Sequence, residues 1–257
     1  MVNRLRIVLA AFGVFAATGA HAVELAYEPI ALGWSSDEVE QATAENGTAI
    51  AERAQQLAQL GCSRYCERLE RIFARLVTQA RGQTERARRL PWSLTVVRLN
   101  DVQAMALPGG QVVVSEAFIA RLGASDAELA FVLAHEMAHS ILEHERQALT
   151  FARMLLPRNV SRSVSDMYVE MSFNFALLKA MEPAMQEGEF EADELGLLLA
   201  SAAGYAPEQQ IEFMEREAGE EPGAEPLIAT HPPASERLAR LRMRLPLAQR
   251  LLPLATD

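Results

Sequence analysis

Apolar residues recur every three to four positions through most of this chain and alternate strictly in one short region only. Residues Val23–Ser36 carry neither period and read as extended and loop-like. From Asp37 to Gln59 the spacing predicts a helix, with a break expected at Glu45–Gly47. A second run, SRYCERLERIFARLVTQA, sets Leu69, Ile72, Phe73, Leu76 and Val77 on one helical face. WSLTVVRLN then alternates and is rich in β-branched residues, which predicts a strand. DVQAMALPGGQVVVS follows as strand, Pro-Gly-Gly turn and strand, hence a hairpin.

EAFIARL and SDAELAFVLAHEMAHSILEHERQA return to the helical period, the second opened by Ser125 as cap with acidic residues in its first turn. Ala148 to Met185 is a long, partly apolar stretch. EGEFEADELGLLLASAAGY is a helix stopping near Gly204, and APEQQIEFMERE is another. GEEPGAEP is an acidic, turn-rich loop before the final helix in HPPASERLARLRMRL. No repeat and no interdomain linker interrupts this order. The pattern predicts an α+β chain, mainly helical, with a small antiparallel or mixed sheet.

Composition narrows the picture. Half of the 257 residues are hydrophobic and 23% are charged, which fits a folded chain and not a disordered one. A formal net charge of −10 argues against nucleic acid as a partner. The N-terminus, MVNRLR followed by IVLAAFGVFAATGA and then Ala20-His21-Ala22, has the layout of a secretory signal peptide cleaved after Ala22. Its apolar run is 14 residues, whereas a helix needs about 20 to span a bilayer. The expectation is therefore a signal peptide over 1–22, a single domain over 23–257 with no membrane span, and a periplasmic location. An oxidising compartment would favour a local disulfide between Cys62 and Cys66 over two free thiols. Two cysteines alone cannot complete a four-ligand structural zinc site.

The candidate chemistry lies in HEMAHSILEH. Three of the five histidines fall between His135 and His144. Four residues apart on a helix, His135 and His139 share a face and can ligate one metal ion. Glu136, on the neighbouring flank, can reach a water activated by that metal without ligating the metal itself. The surrounding apolar residues oppose a chance pattern on a solvated helix, since buried imidazoles and a carboxylate need a physical reason. A catalytic zinc needs a third protein ligand and an open position. Glu189 in EGEFEADELG is the best candidate, with Asp193 one turn along to accept a hydrogen bond from a ligand histidine and Glu191 pointing elsewhere. The small Ala192 and Gly196 suggest that this helix packs tightly. His144, more than two turns from His135 on the predicted helix, reads as a structural residue or a support for a ligand.

Together these stretches resemble the gluzincin peptidases of the HtpX and CAAX-prenyl-endopeptidase family, metallopeptidase family forty-eight, in its soluble exported form. AMALPGGQVVVSEAFIARL resembles the strand-turn-strand and helix before the zinc helix. HEMAHSILEH resembles the zinc helix with a further histidine, EFEAD the E-x-x-x-D segment, and THPPASERL the late His-Pro segment followed by an arginine. The membrane helices of the HtpX and CAAX branches and a tetratricopeptide-like C-terminal half are not seen.

The resemblance implies a zincin-like fold, one zinc per chain held by His135, His139 and Glu189, and Glu136 as general base. His231 or Arg237 would stabilise the tetrahedral oxyanion; alternatively His231 would occupy the open position on the metal in a resting state. The substrate would be a polypeptide, bound as an extended strand along an open edge of QVVVS. Unfolded or misassembled envelope proteins are the expected partners, and protein quality control the expected role. The competing reading is a chaperone or assembly factor of the same fold with a mostly closed zinc site, against which the intact Glu136 argues. A hydrolase of non-peptide substrates has no positive sign in the sequence.

Overall fold

A computed structural model of the chain describes residues 33–157, 160–220 and 231–253. The expected signal peptide and most of the acidic loop lie outside the described residues. Among those described, helices surround one small mixed sheet, in keeping with the mainly helical α+β expectation.

The first helix, α1 (Ser36–Gln56), opens on a capping box in which Ser35 and Glu38 each satisfy the other's backbone N–H. It runs without interruption through the expected break at Glu45–Gly47. Gly47 is used for close approach instead, since a Cβ there would lie 2.8 Å from Leu107 Cδ1 on the hairpin. Helix α2 (Cys66–Gln83) buries Leu69, Ile72, Phe73, Leu76 and Ala80 along one face. Each such aliphatic side chain contributes roughly 1.5–3 kcal/mol of burial. Cys62 and Cys66 are joined at the start of α2, with Cα atoms 5.4 Å apart. The Glu116 carboxylate accepts the backbone N–H groups of Ser63, Arg64 and Tyr65 there, satisfying donors that a helix start leaves open.

After the short α3 (Glu85–Arg89) come β1 (Ser93–Val97), β2 (Ala104–Leu107) and β3 (Gln111–Ser115). Strand order is β1-β3-β2, with β3 antiparallel to β2 and parallel to β1. The expected open edge on QVVVS is therefore corrected: that strand is central, and the non-local pairing with β1 covers it. The outer side of β1 is met in turn by Leu60, which bridges Val97, and by the Gly61 N–H, which donates to Val96. The outer edge of β2 has no strand partner among the described residues.

Helix α4 (Glu116–Leu122) leads to α5 (Asp126–Leu142), which is capped by the Ser125–Glu128 box and contains no Gly or Pro. The expected single helix from Ser125 to Ala148 divides at Glu143, a left-handed residue with φ 58°, and α6 (His144–Leu155) starts in a new direction. Then follow α7 (Val164–Phe173) and α8 (Phe175–Ala202), which begins 12 residues before Glu187 and carries Pro183 in its early turns. Helices α9 (Pro207–Glu220) and α10 (Ala234–Leu251) complete the described fold.

Helix α5 packs chiefly against α8, and α10 lies along α8 as well. The main core gathers α2, β3, α5 and α8, and a second cluster joins α5, α8, α9 and α10 around Phe131, Phe213 and Leu241. No described helix is long and apolar enough to cross a membrane.

Candidate active site

Helices α5 and α8 each present polar side chains into the seam between them. From α5, His135 and His139 turn their Nε2 atoms towards each other, 3.1 Å apart. From α8, Glu189 brings one oxygen within 3.4 Å of His135 Nε2 and the other within 3.5 Å of His139 Nε2. One ligand atom from each of the three lies within 4.8 Å of the others. Helical spacing puts the two imidazoles on one face of α5, and Gly196, in contact with the His135 backbone, lets α8 come close enough to supply the third group.

The far side of each imidazole is also occupied. Asp193 accepts from His135 Nδ1 at 2.9 Å, the contact expected from the four-residue spacing after Glu189. His139 Nδ1 lies 2.8 Å from His144 Nδ1, and His144 Nε2 lies 3.1 Å from Glu191. Glu191, expected to point elsewhere, is buried beside the site because α6 folds back over that flank of α8. The signal available in the sequence was a second buried carboxylate two residues past the ligand candidate.

Arg237 pairs with Asp193. Its Nε and a terminal nitrogen donate to the two oxygens of Asp193, both at 2.7 Å. A guanidinium engaged in this fork has its charge compensated by a buried carboxylate. Through these bonds it holds Asp193 in place. His231 is exposed, with Nε2 3.4 Å from Glu189.

Charge at the seam follows from these contacts. Burial pushes the Glu189 carboxyl up, but the close approach of His135 and the charge of the neighbouring histidines pull it down to about 2. Burial pushes Asp193 up in the same way, and the Arg237 and His135 hydrogen bonds bring it to about 2. Burial depresses His135, yet its hydrogen bond to Asp193 and the nearby Glu189 carboxylate raise it to about 10. Burial and the adjacent His135 and His144 hold His139 well below the usual imidazole range. Glu136 is raised by burial, with His135 acting in the opposite sense and the Ala106 backbone N–H donating to it.

A zinc ion fits this donor set. One oxygen of Glu189 is buried without a hydrogen-bond partner, and two imidazole nitrogens converge on the same place. With Nδ1 of each ring directed at a second residue, Nε2 is the atom left to ligate.

The sequence profile of Peptidase family M48 matches residues 63–245. The chain belongs to this family. Mitochondrial metalloendopeptidase OMA1 of Schizosaccharomyces pombe is 33% identical over 167 residues, which are 62% of this chain and 48% of that protein. OMA1 of Saccharomyces cerevisiae is 29% identical over 202 residues, 72% of this chain and 57% of the relative. The beta-barrel assembly-enhancing protease of Escherichia coli K12 is 24% identical over 168 residues, 60% of this chain and 34% of the relative. The chain thus spans about half the length of the OMA1 proteins, and a third of the assembly-enhancing protease.

These M48 relatives overturn the expected periplasmic location. The matches at 29–33% identity are mitochondrial proteins, and the 1–22 segment that carried the expectation lies outside the described residues. Envelope proteins as partners rested on that location and are not carried forward.

Proposed function

We propose that this chain is a zinc-dependent endopeptidase acting on extended segments of unfolded polypeptide. The observation that carries the reading is the convergence of His135, His139 and Glu189, with Glu136 beside them on the same helix. His135 and His139 would hold the ion through Nε2 and Glu189 through its carboxylate. When bound, zinc supplies Lewis acidity, making a water more acidic and polarising a carbonyl oxygen.

The remaining work falls to the chain's own groups. Glu136, raised by burial, takes the proton of the attacking water and delivers it to the leaving amine. Asp193, held by Arg237, fixes the His135 ring. His231, exposed and next to Glu189, or Arg237 beyond its pairing with Asp193, would hydrogen-bond the oxyanion.

The outer edge of β2 is the place for substrate. The Ala106 N–H is directed at Glu136 and so away from β3, which aligns this edge with the reacting groups. A peptide added there as a further strand would be read through its backbone, and folded proteins rarely offer such a strand. Unfolded chains are the substrates this geometry favours, which agrees with a quality-control role.

Casein digestion with and without chelator tests the proposal. Cleavage should stop on chelation, return with zinc and be absent in Glu136→Gln. Cleavage indifferent to chelator, or an active Glu136→Gln protein, would contradict it.

A further inference from the structure

We propose that His144 is a positioning residue for His139, and that Glu191 sets the direction in which the pair holds its protons. The inference rests on the zinc reading above. His144 is an imidazole wedged between a candidate ligand and a buried carboxylate, with its ring edge-on to His139 at 4.8 Å between centroids. Both His144 and Glu191 are almost wholly shielded from water, with side-chain exposures of 10% and 8%.

The order of protons follows from these contacts. A neutral imidazole carries one N–H. Glu191, as a carboxylate, only accepts, so the proton of His144 belongs on Nε2. Nδ1 of His144 is then a lone pair and must accept from His139 Nδ1–H. His139 is left with its lone pair on Nε2, the atom that faces His135 and Glu189. In the opposite order His144 would donate from Nδ1, His139 would carry its proton on Nε2, and that nitrogen could not ligate a metal. Removing Glu191 takes away the group that decides between the two.

Local geometry makes the contact possible. On an uninterrupted helix, His144 would follow His139 by five residues and point about 140° away from it. The left-handed Glu143 ends α5 and turns the chain, so that His144 opens α6 against the His139 ring. The two ligand imidazoles are therefore supported by different means: His135 by Asp193 backed by Arg237, His139 by His144 backed by Glu191.

Zinc affinity of the full chain by chelator competition, with the visible spectrum of its cobalt(II) form, separates positioning from mere filling. His144→Leu keeps bulk but neither hydrogen bond, and Glu191→Leu leaves both imidazoles in place without the carboxylate. Both should bind zinc about 10- to 100-fold more weakly and shift the cobalt bands. His144→Asn offers an acceptor to His139 and a donor to Glu191, and should recover most of the lost affinity. Should His144→Leu fail to fold, Glu191→Leu carries the same comparison. Leucine variants with wild-type affinity and spectrum, or an asparagine variant as weak as the leucine one, overturn the inference while leaving the zinc reading intact. A wild-type chain that binds no zinc overturns both.

Discussion

Gly196 of α8 lies against the backbone of His135 on α5. A Cβ at that glycine would stand 2.9 Å from His135 N and 3.0 Å from its Cα. Main-chain atoms in the middle of a packed helix cannot yield as a side-chain tip can. Gly196→Ala should therefore force the helices apart, destabilising the protein by about 1–3 kcal/mol and drawing His135 away from Glu189. Urea unfolding checks the first effect through its midpoint, and zinc titration checks the second. An alanine variant as stable as the wild type would show that the two helices are not so tightly matched.

Asp193 makes stability depend on pH in a definite direction. Burial raises its carboxyl, and Arg237 and His135 together bring it to about 2, below the ordinary 3.8. A depressed carboxyl stabilises the fold above its unfolded value, and the contribution is lost as pH falls through the folded one. The metal-free protein should thus lose about 2 kcal/mol relative to Asp193→Asn between roughly pH 4 and pH 2. Parallel stability profiles for the two proteins over that range would contradict the assignment.

Glu143 holds a left-handed backbone although it is not glycine, and its side chain is bound by Ser36, Arg86 and Arg146. Glu143→Ala and Glu143→Gly both lose those partners, so their difference isolates the backbone. Glycine should be the more stable of the two by about 0.5–1 kcal/mol, the relief at positive φ exceeding its greater freedom when unfolded. Thermal unfolding of the pair decides it, and an alanine variant equal to or better than glycine would mean that the turn relaxes.

Helix α5 was legible as the carrier of His135, Glu136 and His139, because helical periodicity alone groups them. The same reasoning extended to Glu189 and Asp193, whose four-residue spacing on α8 mirrors that of the histidines. What escaped was decided by contacts distant in sequence. Arg237 meets Asp193 across 44 positions and Glu191 meets His144 across 47. The turn at Glu143 carries no glycine to announce it, so α5 and α6 read as one helix. Strand order was hidden likewise, because β3 pairs with β1 across the intervening β2 and leaves β2, not QVVVS, at the edge.

Cys62 and Cys66 should be found oxidised in the purified protein, since the structure joins them at the start of α2. A loop this short restricts the unfolded chain little, and reduction should cost at most about 2 kcal/mol. Mass spectrometry after alkylation without reduction measures the state directly. Two alkylated cysteines would refute the pairing.

Metal analysis of three purified proteins tests the central claim most directly: wild type, Glu136→Gln and Glu189→Ala. In the proposed reading Glu136 acts on water and lies outside the ligand set, whereas Glu189 is the third ligand. About one zinc per chain is predicted for the wild type and for Glu136→Gln, with zinc lost from Glu189→Ala. A Glu189→Ala protein that keeps its zinc, or a Glu136→Gln protein that loses it, would contradict the assignment of this site.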